Sequence, residues 1–117
     1  MQRIKRRQDF VAAAKAASQG TPGFLLVAHF RGDDAAPRVG FTCTKKLGNA
    51  VARNRIRRRL KEAARLVFDR VARPSYDYIL IGRSAAQSRG FEILQSDLIS
   101  AATRLHAKAA PKQMEVK

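Results

Sequence analysis

The sequence predicts one α/β domain, a sheet with helices docked on it, and three observations carry that expectation. Phe24–Phe30, Arg38–Thr44 and Tyr76–Gly82 are short runs that are either apolar throughout or alternate as strands do. Two longer stretches, within Lys45–Arg73 and from Phe91 to about Lys108, repeat apolar residues at helical spacing. The chain has 117 residues, 45% of them hydrophobic, which is enough for one core and not for two.

Taken in order, Arg3-Ile4-Lys5-Arg6-Arg7 has the charge of a signal-peptide start. The apolar stretch after it, Phe10 to Ala14, is shorter than the roughly 7–15 residues such a peptide needs. It reads instead as a basic lead-in to a helix from Phe10 to about Ser18, capped by Asp9 and stopped by Gly20-Thr21-Pro22-Gly23. Phe24–Phe30 is a strand buried on much of both faces, and Gly32-Asp33-Asp34 is a turn. Arg38–Thr44 is a second strand, antiparallel to the first. Tyr76–Gly82 is a third, Ser84–Gly90 a loop, and the final helix buries Leu94, Leu98, Ile99, Ala102 and Leu105. One domain is expected over 1–108, with 109–117 a flexible tail.

Charge is the first functional clue. Lys and Arg number 24 against 9 Asp and Glu, a formal net charge of +15, which opposes compaction and favours a polyanionic partner. Counting removes other classes. Cys43 is the sole cysteine, so no internal disulfide forms, and with only His29 and His106 beside it no Cys/His zinc site is spelled out. Phe24–Phe30, the longest apolar run, falls far short of the roughly 20 residues that span a bilayer. A cytoplasmic protein without a membrane partner is expected.

The segment Lys45–Arg73 holds eleven basic residues and two acidic ones. Ile56, Leu60, Ala63, Ala64, Val67 and Val71 form an apolar stripe for docking on the sheet. At about 100° per residue, Asn54, Arg55, Arg58, Lys61 and Arg65 fall on the far side, Arg57 and Arg59 flank the stripe, and Arg53 meets it at the helix start. Gly48-Asn49 supplies a turn and a cap, with Lys45 and Lys46 just before it. A helix start with free N–H groups and several arginines suits phosphate. Charge runs on helices ordinarily mark a solvated face, but here almost no acidic residue stands at i, i+4 to relieve the repulsion. Nothing builds a protein nuclease: the carboxylates are scattered, both histidines stand alone, and Gly48–Arg55 is not a phosphate-binding Walker loop.

The run from Arg38-Val39-Gly40-Phe41 through Lys45-Lys46-Leu47-Gly48-Asn49-Ala50-Val51-Ala52-Arg53-Asn54-Arg55 to Ala63 resembles the protein subunit of bacterial ribonuclease P, with Arg53-Asn54-Arg55 as that family's RNR core. The order of the flanking elements agrees along nearly the whole chain. The resemblance implies a two-layer α/β (α+β) sandwich with helices on a mixed central sheet and a left-handed βαβ crossover. It also implies a protein that binds a large catalytic RNA and, with it, removes the 5′ leader of precursor tRNA. The RNA would supply the active site and the Mg²⁺ ions of the holoenzyme; the chain itself would bind no cofactor and require no protein partner. By position, Lys45, Lys46, Asn49, Arg53, Asn54, Arg55, Arg57, Arg58 and Lys61 would contact the catalytic RNA. A cleft for the single-stranded leader, between the sheet and the first helix, would use Phe10, Ala14, Val27 and Thr42. Ala14 and Val27 stand where other members carry aromatics, so Phe10 would supply the stacking. A structural RNA-binding protein of ribosomal type is the alternative, with a DNA-binding module behind it.

Overall fold

The computed structural model describes residues 2–5 and 17–115. Five strands form one mixed sheet: β1 (Gln2–Arg3), β2 (Ala17–Gly20), β3 (Phe24–Phe30), β4 (Arg38–Thr42) and β5 (Tyr76–Gly82), in spatial order β1-β4-β5-β3-β2. Two helices, α1 (Ala50–Val71) and α2 (Phe91–Glu115), pack on one face. Short 3-10 turns at Lys45–Leu47 and Ser84–Gln87 precede them.

Alternation along the central strands separates the two faces. Phe24, Leu26, Ala28, Val39, Phe41, Tyr76, Tyr78 and Leu80 join Ile56, Leu60, Ala63, Ala64, Val67 and Phe68 of α1 and Leu94, Leu98, Ala101, Ala102 and Leu105 of α2 in the main core. The intervening residues Leu25, Val27, Ile79 and Ile81 face the other way, where Val27 and Ile79 cluster with Ile4. Phe68, absent from the expected stripe, is fully buried and meets Tyr78 edge-on at 5.1 Å, while Val71 is only partly buried. At Gly82 α1 packs closely on the sheet. A Cβ there would lie 2.9 Å from Ile56 Cγ2 and 3.0 Å from Cys43 Sγ.

Several expectations change. β3 and β4 run in opposite directions but do not pair, because β5 lies between them, antiparallel to β3 and parallel to β4. Asp77 of β5 ties it to both neighbours: it takes hydrogen bonds from Arg31, just after β3, and from Arg38, at the start of β4. The expected first helix has its end replaced by strand, since Ala17–Gly20 pairs with Leu25–Ala28. The rest of it, with Asp9, Phe10 and Ala14, lies outside the described residues. β4 ends at Thr42, two residues before the expected limit, as the chain tightens into the 3-10 turn. The last helix keeps its backbone hydrogen bonding to Glu115, beyond the expected Lys108. β1, a parallel partner of β4, was not foreseen.

Candidate nucleic-acid interface

The geometry of α1 begins with the turn before it. Gly48 has φ +123°, a conformation that strains any side chain, and its N–H donates to the Lys45 carbonyl. Asn49 then caps the helix: its Oδ1 accepts the Ala52 N–H at 2.9 Å, and its carbonyl accepts the Arg53 N–H at 3.0 Å. Lys45, Lys46 and Asn49 are exposed around this start.

Burying Ile56, Leu60, Ala63 and Ala64 turns the opposite side of α1 to solvent. Asn54, Arg55 and Arg58 are exposed, and Arg57 and Lys61 are half-buried. On one flank Arg3, Asn54, Arg57, Arg58, Lys61, Glu62 and Arg65 line an open groove of about 580 Å³. Five of these residues are cations. The one carboxylate, Glu62, already takes two hydrogen bonds from Arg65, at 2.6 and 3.0 Å, and these hold its carboxyl below the usual range. Within the groove Arg57 Nη1 leans on Asn54 Oδ1 at 3.4 Å. Such a surface, with one carboxylate among its described residues against five cations, concentrates positive potential and suits the phosphates of a nucleic acid.

Arg3 is the groove residue that motif reasoning missed. It reaches α1 because β1 runs parallel beside β4, which also sets its guanidinium 5.0 Å above the Phe41 ring. The basic run at the N-terminus was a signal, but nothing in its spacing pointed to α1.

On the other flank the arginines work inward. Arg59 Nε donates to the Ala86 carbonyl at 2.9 Å, and its Nη2 donates to the Arg89 carbonyl. Arg55 Nε donates to the Gln87 carbonyl at 3.2 Å, so it joins this flank rather than the groove while staying exposed. Arg53 sits at the edge of the core with its Nε buried and unpartnered among the described residues. Beneath it Cys43 is buried, which raises its thiol pKa against the nearby charges of Arg57, Arg53 and Lys61. Of the residues expected to meet RNA, then, Asn54, Arg57, Arg58 and Lys61 share the groove. Lys45, Lys46, Asn49, Arg53 and Arg55 lie at the helix start outside it.

Of the leader-cleft candidates, Val27 and Thr42 fall on the sheet face away from the helices; Phe10 and Ala14 lie outside the described residues. Val27, 2% exposed, pairs in register with Ile79; half-buried Thr42 pairs with Ile81, which in turn pairs with Leu25. Among the described residues no group of three or more His, Cys, Asp or Glu side chains could hold a metal ion. No described helix is long and apolar enough to cross a membrane.

Comparison with known proteins agrees with this arrangement. Residues 1–106 match the family model described as Ribonuclease P. A ribonuclease P protein component of Ruegeria pomeroyi is 51% identical over 107 residues, covering 89% of this chain and 86% of the relative. The solved RNase P protein of Staphylococcus aureus superposes with a TM-score of 0.71 at 28% identity, over 88% of this chain and 94% of that one. The RNase P protein of Thermotoga maritima shares the fold with a TM-score of 0.69 at 24% identity, over 86% and 94%.

Proposed function

The chain belongs to the bacterial ribonuclease P protein family, and from that premise we propose that it binds the catalytic RNA of a ribonuclease P ribonucleoprotein through α1 and assists removal of the 5′ leader from precursor tRNA. The observation that carries this reading is the groove in which Arg3, Arg57, Arg58, Lys61 and Arg65 face one carboxylate that is already paired. A folded protein that leaves so much like charge uncompensated gains most from a polyanion that displaces counterions.

In this reading the chemistry belongs to the RNA. Among the described residues Asp77 is held by two arginines, Glu62 by Arg65 and Asp97 by Arg89, and no group of three or more His, Cys, Asp or Glu side chains could hold a metal ion. The metal ions of the holoenzyme are therefore assigned to the RNA, and the chain holds the RNA in place. The leader would lie on the second sheet face, with Val27 and Thr42 beneath it and Phe10 stacking on a base. The complex would work in the cytoplasm without a further protein partner.

Reconstitution tests this. The purified chain is mixed with a bacterial ribonuclease P RNA, and 5′ cleavage of a precursor tRNA is followed at low Mg²⁺. A large gain over RNA alone, with no cleavage by protein alone, is expected. Tight binding of a cognate RNA with no gain would replace this reading with a structural RNA-binding role.

A further inference from the structure

The end of α1 and the middle of α2 border a cavity that the RNA-binding reading does not use. It measures about 260 Å³ and is lined by Arg70 and Val71 at the end of α1, Arg73 just beyond it, and Ala102, Thr103 and His106 of α2. His106 is only 3% exposed, and its Nδ1 is buried with no hydrogen-bond partner among the described residues. Its other ring nitrogen, Nε2, lies 2.7 Å from the Tyr78 hydroxyl, which already accepts the Arg73 N–H at 2.9 Å. The hydroxyl therefore donates to Nε2, and the neutral ring carries its own proton on Nδ1. Burial keeps the ring neutral, and the nearby charge of Arg73 adds to that. Thr103 donates its proton to the Ile99 carbonyl at 2.8 Å. The donors that remain to the cavity are thus His106 Nδ1 and the guanidiniums of Arg70 and Arg73, both exposed residues.

We propose that this cavity binds a phosphate group between His106 Nδ1 and the guanidiniums of Arg70 and Arg73. The donors set the ligand class. A buried N–H without an acceptor calls for an oxygen, and two cations beside it favour one that bears negative charge. The carbonyls at the end of α1 oppose an anion, but they amount to roughly half a negative charge against two full positive ones. Three donors on two elements match an oxyanion with at least three oxygens, where a carboxylate offers two. Free phosphate and the terminal phosphate of a nucleotide share this chemistry. The site needs no RNA and shares no residue with the α1 groove, so it stands apart from that reading.

The test follows the His106 ring by NMR in the full chain, at neutral pH and constant ionic strength, as inorganic phosphate replaces chloride. The chain has two histidines, and His29 on β3 serves as the internal reference. A saturable shift at His106, absent at His29, is expected. Arg70→Ala and Arg73→Ala should each raise the half-saturation concentration about tenfold, as loss of one charge-assisted hydrogen bond does, while Arg58→Ala in the α1 groove leaves it unchanged. Both replaced side chains are exposed, and Arg73→Ala keeps the backbone N–H that Tyr78 accepts, so the ring stays in place. Adenosine monophosphate is titrated alongside. A lower half-saturation than that of inorganic phosphate assigns the site to the terminal phosphate of a nucleotide, and a higher one assigns it to the free ion. No shift with either compound, a shift that grows without saturating, or one that survives both arginine variants overturns the site. Arg70 and Arg73 would then serve only as counter-charges to the end of α1.

Discussion

The arginines around Asp77 and those along the outer side of α1 share a side chain and differ in where their partners come from. At Asp77 the fold supplies everything. Arg31 donates to Asp77, to Asp33 and to the carbonyls of Ala35 and Ala36, and Arg38 grips Asp77 with two nitrogens. Burial on its own would raise the Asp77 carboxyl, but the hydrogen bonds and charges of Arg38 and Arg31 outweigh it and hold the pKa below the usual range. Ser75, whose carbonyl takes the Arg31 N–H at 2.7 Å, adopts φ 72° within the same loop staple. On α1, by contrast, Arg58 is exposed and shares its groove with one carboxylate that Arg65 already occupies. Cations satisfied from within define the fold, and those left unsatisfied define what the fold is for.

The sharpest way to break this contrast is Asp77→Ala. Arg31 is only 11% exposed and keeps Asp33 and two carbonyls as partners, but removing the carboxylate takes charge-assisted hydrogen bonds from both Arg31 and Arg38 and costs about 3–5 kcal/mol. Urea denaturation measures the loss, while RNA binding by the protein that remains folded should keep its salt slope. A slope reduced as far as that of an α1 variant would show that the Asp77 cluster also serves RNA.

A buried site without an ion pair gives the next largest effect and separates by pH. The Tyr78 hydroxyl accepts the Arg73 N–H at 2.9 Å and lies 2.7 Å from His106 Nε2, so the network assigns its proton to a bond toward a neutral imidazole. Burial first, and the Arg73 charge second, push His106 down to about 4, while burial pushes Tyr78 up to about 12. The folded pKa of His106 is below its unfolded value of about 6.5, so its contribution is complete above that pH and lost as pH falls toward 4. The loss is on the order of 2–3 kcal/mol. Denaturation between pH 7 and 4 should show it in the parent chain and not in His106→Gln. The Asp77 contribution survives this window and fails only lower, since its pKa lies below 3.8. Equal losses in both proteins would place the acid-sensitive group elsewhere.

How much of this was legible in the sequence follows from what each element depends on. Phe24–Phe30, Tyr76–Gly82 and α1 announce themselves because burial on one or both faces writes a period into the residues. β1 and β2 do not: they are short and largely exposed, and hold to the sheet through backbone hydrogen bonds that any side chain permits. Arg3 was hidden for the same reason, since its place in the groove depends on that pairing. The role of Asp77 lies outside the sequence reading, since its partners Arg31 and Arg38 reach it only because β5 lies between β3 and β4. The Asn49 cap and the positive φ at Gly48 were legible, being local. Helical spacing places Arg59 only beside the stripe, because the carbonyls it serves lie far along the chain.

Arg58 and Arg59 bring the contrast down to adjacent residues and to the smallest change in stability. Helical rotation of about 100° turns one toward solvent and the other toward the loop before α2. Arg59→Ala removes two hydrogen bonds to carbonyls and should cost about 1–2 kcal/mol while leaving the salt slope of RNA binding unchanged. Arg58→Ala should change stability by less than about 0.5 kcal/mol, as exposed substitutions usually do, yet lower that slope by about 0.7–0.9. Denaturation and salt titration of the two variants therefore report in opposite columns, although each loses one positive charge from the same turn of helix. If both variants lowered the slope equally, net charge rather than the placement of cations would govern RNA binding, and the division between the two kinds of arginine would fail on α1 itself.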